Sequence, residues 1–337
     1  MDFSTFSTAL LFLIVVALAF DFINGMHDAA NSIATIVSTR VLSPKWAVLW
    51  AAFFNFIAFL FFGLHVAQTV GSGIIQTSIV DNRVIFGALT GAISWNVITW
   101  LAGIPSSSSH ALIGGLVGAA LSKVGISAIV WAGLGKTIVA IFMSPAVGFV
   151  LALVLVLLVS WAFLRVAPIK VDSTFRWLQF VSASLYSLGH GANDAQKTMG
   201  IIAVLLFSNG MMGATFEVPF WVVISCQSAM ALGTLSGGWR IVHTMGSKIT
   251  RLTPQQGFCA ETGGAITLFA ATSLGVPVST THTITGAIVG VGAARRLSAV
   301  RWSVARGIVF AWFITMPMSG LIASAAYFVS GLFLVGK

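Results

Sequence analysis

Gly103-Ile-Pro-Ser-Ser-Ser-Ser-His110 returns 172 residues later as Gly275-Val-Pro-Val-Ser-Thr-Thr-His282, and each copy breaks an apolar run with a proline and a row of hydroxyls. From Gly103 to Ser122 against Gly275 to Ala294, seven of twenty positions are identical, enough to read the two segments as copies of one unit. The same offset pairs Pro145 with Pro317, Gly148 with Gly320, and Thr90-Gly91 with Thr262-Gly263. Matching interruptions in the two halves of an apolar chain are the pattern of a secondary transporter, and they predict a ligand site where the interruptions meet.

With 58% hydrophobic residues, 7% charged residues and a mean hydropathy of +1.00, the chain has too few charges to cover a water-facing surface. Apolar stretches of spanning length fall near 8–38, 46–67, 84–102, 137–164, 176–208, 219–238, 257–274 and 306–335. Backbone groups in lipid are satisfied within a helix, so these stretches predict helices. The segments 84–122 and 257–294 make either two crossings each or a hairpin whose tip stops at mid-depth, and hydropathy does not separate the two. The fold expected is an all-α membrane protein. It is a polytopic helical bundle of two inverted repeats, 1–166 and 174–337, with broken helices and two Pro/Ser-tipped re-entrant hairpins. The repeats are expected to interlock as one transport unit, with their boundary at 167–173. Asp2 precedes the first apolar run with no Lys or Arg, so that run reads as a first span and not a cleaved signal. Cys226 and Cys259 fall within spans and need no redox explanation.

The net charge of +9 resembles a nucleic-acid signal but reads better as topology, because most Lys and Arg sit in short loops. With inverted halves, the loops holding Arg40/Lys45, Arg165/Lys170/Arg176, Arg240/Lys248/Arg251 and Arg295/Arg296/Arg301/Arg306 share one side, twelve cations in all. Arg83, Lys123, Lys136 and Lys337 lie on the other, whereas parallel halves would split the same sixteen evenly. The positive-inside rule therefore selects the inverted arrangement, with both termini outside. The expected location is a bacterial inner membrane crossed many times, with the lipid bilayer as partner and no nucleic acid.

Of the eight acids, Asp2, Asp81, Asp172 and Glu217 fall near span ends and read as solvated loop charges. Asp21, Asp28, Asp194 and Glu261 lie inside apolar runs, where a bare charge costs about 3 kcal/mol, so each is a functional hypothesis by default. Asp28 and Asp194 are the sharper pair, because Asn24-Gly-Met-His-Asp28-Ala-Ala-Asn31 answers His190-Gly-Ala-Asn-Asp194-Ala-Gln-Lys197. Gly25 and Gly191 are expected to interrupt their helices. Carboxylates, amides and freed carbonyls would then form the ligand set of a hard monovalent cation or a proton relay.

Ser106–Ser109 and Ser279–Thr281 each follow a proline and lead into a helix beginning near His110 or His282. Hydroxyls and unpaired amides at a helix N-terminus form an anion site, and four hydroxyls in one copy and three in the other exceed what N-capping needs. His27 borders the first acidic motif and, with a side chain that titrates near neutrality, is a candidate for a proton relay together with Glu261. His27 and His190 are not equivalent in the repeat, and His110 and His282 read as core or tip-orienting residues. Lys197 matches Asn31 and is expected to neutralise Asp194 or the substrate, and Gln196 and Lys197 are grouped with the tips in the substrate-binding set. Gly114/Gly118 and Gly286/Gly290 are small-residue pairs that let helices approach closely.

At these residues the chain resembles the inorganic phosphate transporter (PiT) family, called Pit in bacteria, over essentially its whole length. Gly-Met-His-Asp28-Ala-Ala-Asn31 and Gly-Ala-Asn-Asp194-Ala-Gln-Lys197 are similar to the family's duplicated Gly-Ala-Asn-Asp signature. The two Pro-hydroxyl-His tips and Ala260-Glu261-Thr262 are similar to its other repeated motifs. The resemblance implies a secondary active symporter that is not an enzyme, often a homodimer, importing inorganic phosphate with H+ or Na+ and needing no cofactor beyond the co-transported ion. It places Asp28, Asn31, Asn193 and Asp194 around the coupling cation, a Na+ site only if transport is sodium-linked. It places Ser107, Ser108, Ser279 and Thr280 around phosphate, and the hydroxyl rows extend that set to Ser109 and Thr281. Met26-His27 stands where the family has Ala-Asn, which looks like the bacterial proton-linked branch. The rival readings are a permease for sulfate or another tetrahedral oxyanion, a metal-phosphate complex as substrate, and an anion channel. An intramembrane serine hydrolase is disfavoured, because no Gly-x-Ser-x-Gly turn is present.

Overall fold

The computed structural model describes residues 7–213 and 216–332, and these form helices joined by short turns; Asp2 and Lys337 lie outside the described residues. Helix α1, Thr8–Ser38, coincides with the first apolar stretch and is capped by Ser7, whose hydroxyl accepts from Leu10 N at 3.2 Å. Helix α2, Pro44–Ile57, runs on through a short turn to Leu60. Helix α3, His65–Ser72, then leaves at 83°. In the second half α8, Phe220–Ser236, meets α9, Trp239–His243, whose axis continues to Lys248 at 63° to α8. The expected span 46–67 thus runs through the first bend and 219–238 ends at the second, which turns at Gly237, whose φ of +67° suits only a residue without Cβ.

Gly25 and Gly191 do not interrupt their helices, contrary to expectation. Helix α1 passes straight through Gly25, and α7, Pro168–Ser208, passes through Gly191. The glycines serve contact instead. A Cβ on Gly25 would lie 2.1 Å from Met230 O of α8, and one on Gly191 would lie 2.5 Å from Asn55 O of α2. No carbonyl is freed at either point, so the helix backbone there offers no ligand oxygen. Helix α7 also starts at Pro168, in the N1 position that proline suits, which places the boundary expected at 167–173 in its first turns.

Two helical hairpins carry the repeated motif. Helices α4, Asn82–Ala102, and α5, Ser108–Val124, flank the first turn. Helices α10, Pro254–Ser273, and α11, Thr280–Arg295, flank the second. Each turn opens on a left-handed glycine, Gly103 and Gly275, both at φ +67°. The remaining long helices are α6, Trp131–Ala162, and α12, Trp302–Ser330, with Pro145 and Pro317 in their interiors.

The hairpins cross between halves. Helix α5 packs along α12, where Cβ atoms on Gly114 and Gly118 would meet Met316 O at 2.4 Å and Gly320 O at 2.2 Å. Helix α11 packs along α6, with Gly286 and Gly290 against Pro145 O at 2.2 Å and Phe149 O at 2.4 Å. Small residues at matched spacing hold the backbones this close.

Among the described residues, five helices are long and apolar enough to cross a membrane, or up to seven if each bent pair is one span. Helix α7 is longer than any of them but polar in its middle, where residues 188–198 are all buried by neighbouring helices. Cys226 and Cys259 are free and buried. Of the loop charges, Asp81 caps α4 through Val84 N and pairs with Lys123 at 2.6 Å. Arg176 lies on α7 and not in a loop, and donates to Arg40 O at 3.1 Å, holding the start of that helix against the α1–α2 turn. Arg240 is not in an end loop: it lies on α9 and donates to Leu101 O beside the first hairpin turn.

Candidate substrate and cation site

Both hairpin helices begin two residues before the repeated histidine and are capped in the same way. Ser107 Oγ accepts from His110 N and Ser279 Oγ accepts from His282 N, each at 3.2 Å. The caps occupy these two hydroxyls, and the amides of Ser108, Ser109, Thr280 and Thr281 are left without an intrahelical acceptor, as in the first turn of any helix. Pro105, Ser106–Ser109 and Val278–Thr281 are buried, so both tips end inside the protein. They also meet: Ser109 Oγ donates to Val278 O at 3.3 Å, and the rings of His110 and His282 stand edge to face at 4.4 Å.

The hydroxyls beyond the caps face two buried aspartates. Asp28 Oδ2 accepts from Ser108 at 2.6 Å, and its Oδ1 accepts from Thr281 at 3.4 Å. Asp194 Oδ2 accepts from Thr280 at 2.9 Å, and its Oδ1 accepts from the Lys197 ammonium. Asn31 donates to both Thr280, at 3.1 Å, and Thr281, at 2.9 Å. Its own Oδ1 is buried and has no hydrogen-bond partner among the described residues. One ligand atom each from Asp28, His190 and Asp194 lies within 4.8 Å of the others, a spacing able to hold a cation. The donor set is two carboxylate oxygens and an imidazole nitrogen; the carboxylates suit a hard ion.

Of the residues expected at this site, Asp28, Asn31, Asp194, Lys197, Ser108, Ser109, Thr280 and Thr281 are brought together. Ser107 and Ser279 sit just behind them as caps. Asn193 braces the second turn, with Nδ2 donating to Thr272 Oγ1 at 3.0 Å and Val276 O at 3.3 Å, and Oδ1 accepting from Val278 N at 3.3 Å. Gln196 turns away to the α2–α3 bend, where its Oε1 accepts from Val66 N and Ala67 N and its Nε2 donates to Gly63 O. His27 Nδ1 lies 2.7 Å from Asp28 Oδ1 and its Nε2 lies 3.1 Å from Thr99 Oγ1, so it links the first carboxylate to the last turn of α4, beside the first hairpin's tip. Glu261 belongs to a separate buried cluster, accepting from Thr35 at 2.6 Å, Gln179 at 3.0 Å and Ser182.

His190 was missed from sequence. Its Nε2 lies 3.2 Å from Asp194 Oδ2, one helical turn along α7. The i,i+4 spacing was the available signal, outweighed by the lack of a counterpart in the other repeat.

Residues 24–323 match the Phosphate transporter family. The chain belongs to that family. A probable low-affinity inorganic phosphate transporter of Rhizobium meliloti (strain 1021) is 74% identical over 332 residues, 98% of this chain and 99% of the relative. A probable low-affinity inorganic phosphate transporter of Bacillus subtilis (strain 168) is 44% identical, covering 95% and 96%. Among solved structures, one titled the sodium-dependent phosphate transporter superposes with a TM-score of 0.90 at 28% identity, covering 97% of this chain and 100% of that one. This family consists of transporters and not of enzymes, and the chain is a multi-pass membrane protein.

Proposed function

We propose that this protein is a secondary active symporter that imports inorganic phosphate with H+ or Na+, using two inverted repeats whose hairpin tips hold the anion. The observation that carries the reading is that the hydroxyls of both tips converge on two buried carboxylates. Phosphate would bind Ser108, Ser109, Thr280 and Thr281 and the free amides of α5 and α11, with the partial positive ends of both helices directed at it. The coupling cation would sit at Asp28 and Asp194 with Asn31 Oδ1, the unpartnered oxygen, and His190.

Coupling follows from charge. In the present arrangement the aspartates occupy the hydroxyls that phosphate needs, and an oxyanion brought beside two carboxylates in a low-dielectric interior is repelled unless a cation enters with it. Moving each negative charge inward against an inside-negative potential of about 100 mV costs about 2.3 kcal/mol, so uncoupled uptake would run outward. His27 is positioned to pass a proton to Asp28 if the coupled ion is H+. A bacterial inner membrane, termini outside and a homodimer complete the proposal.

The test is counterflow and concentrative uptake of radiolabelled phosphate in proteoliposomes, with Na+ and pH gradients imposed separately. One of the two gradients should drive accumulation. Uptake that never exceeds equilibrium under either would overturn symport, and inhibition by sulfate as strong as by unlabelled phosphate would overturn the substrate. Replacing both Ser108 and Thr280 by Ala should raise the half-saturating phosphate concentration about tenfold or more, the effect of losing charge-assisted hydrogen bonds.

A further inference from the structure

The duplicated site is not equally charged in its two halves. Asn31 and Lys197 occupy equivalent positions, each three residues after its aspartate. Asn31 contributes an amide whose buried oxygen has no partner among the described residues. Lys197 contributes an ammonium with only 3% of its side chain exposed. Its Nζ donates to Asp194 Oδ1, Ser109 Oγ and, at 2.9 Å, Val278 O. A carboxylate, a hydroxyl and a backbone carbonyl from three separate segments make the oxygen set of a small hard cation. Here that set is filled by a charge covalently tied to the protein.

We infer that the Lys197 ammonium is a built-in cation filling the second of two duplicated cation positions, so that a single exchangeable ion, held by Asp28 and Asn31 with the Asp194 oxygen that does not face Lys197, suffices. The inference rests on the symport reading above. It has two consequences. A site with one resident positive charge needs one fewer co-transported cation than a site with asparagine in both halves. Lys197 also joins the tips, since Ser109 belongs to the first and Val278 to the second, so the resident charge holds the hairpins together whether or not an exchangeable ion is bound.

The test exchanges the tethered charge for the residue of the other half. Lys197→Asn should create an additional Na+ position. The Na+ dependence of phosphate counterflow, measured as the ratio of half-saturating phosphate without and with Na+, should then exceed that of the wild type by about tenfold, within the usual range for coupling between two sites. Na+ should also raise the detergent-solubilised variant's melting temperature more than the wild type's. Lys197→Met, with neither charge nor oxygen, should gain no such response. Lys197→Gln also supplies an amide oxygen and serves if the Asn variant does not fold. Equal Na+ responses in the wild type and in the folded Asn or Gln variant, by both measurements, would overturn the inference. Absence of phosphate counterflow by the wild type with any cation would instead overturn the transport reading beneath it.

Discussion

Each aspartate of the site faces a hydroxyl and a histidine, Ser108 and His27 at Asp28 and Thr280 and His190 at Asp194, but only Asp194 also faces a fixed ammonium. The backbone around them is nearly the same in both halves. Both hairpins turn on a glycine at φ +67°, both are capped by a serine at 3.2 Å, and both second helices seat glycines against a proline-bearing helix. The hairpin frame is thus matched between the two halves, while the charges within it differ. A pair of identical half-sites would bind two like ions, while an unequal pair can keep one charge and exchange the other.

The sharpest way to break this comparison is to remove each carboxylate in turn. Asp194→Asn leaves the Lys197 ammonium buried without a counter-charge, and breaking a buried pair in this way costs about 3–5 kcal/mol. Asp28→Asn keeps an acceptor oxygen for Ser108 and strands no fixed charge, so its cost should be about 1–2 kcal/mol. Unfolding in detergent would show the difference, and both variants should lose cation-driven phosphate accumulation in proteoliposomes. Equal destabilisation would mean that the halves are equivalent after all, and accumulation retained by either variant would remove that carboxylate from coupling.

How far the sequence could be read follows the same division between frame and charges. Apolar length gave α1 over 8–38, because a span buried in lipid or protein cannot hide its hydropathy. The hairpin motif was legible because proline, glycine and hydroxyls each have a local backbone role that needs no partner. Direction was not legible. Residues 46–67 run only three residues beyond the first bend and 219–238 stop at the second, and hydropathy carries no angle, so the turns of 83° and 63° were invisible. Gly25 and Gly191 were misread because a glycine that breaks a helix and one that admits a neighbouring backbone look alike until the neighbour is known. Gln196 was placed with the substrate for its chemistry, yet its amide is taken up by the α2–α3 bend.

The glycines offer the second test, of frame instead of charge. Gly25→Ala would place a methyl 2.1 Å from Met230 O, and Gly191→Ala one 2.5 Å from Asn55 O, so in both the partner helix has to move. Overpacking of this kind costs about 1–3 kcal/mol. The two losses should be similar, since the two crossings are matched, and melting temperatures of the purified variants would show it. Helicity should remain, because alanine favours a continuous helix more than glycine does. A rise in helix content or stability on either substitution would restore the reading of that glycine as a break.

The smallest expected effect separates capping from binding. Ser107→Ala and Ser279→Ala each remove a cap and should each cost about 1 kcal/mol of stability, equally in the two halves because the cap geometry is the same. Half-saturating phosphate should stay near the wild-type value in both, since these hydroxyls are already committed to His110 N and His282 N. The neighbouring Ser108→Ala and Thr280→Ala should show the reverse, weaker phosphate binding with little loss of cap energy. Should Ser107→Ala weaken phosphate as much as Ser108→Ala does, the cap must open when the anion arrives. The division at each tip between a structural hydroxyl and the binding hydroxyls after it would then be a property of the phosphate-free state alone.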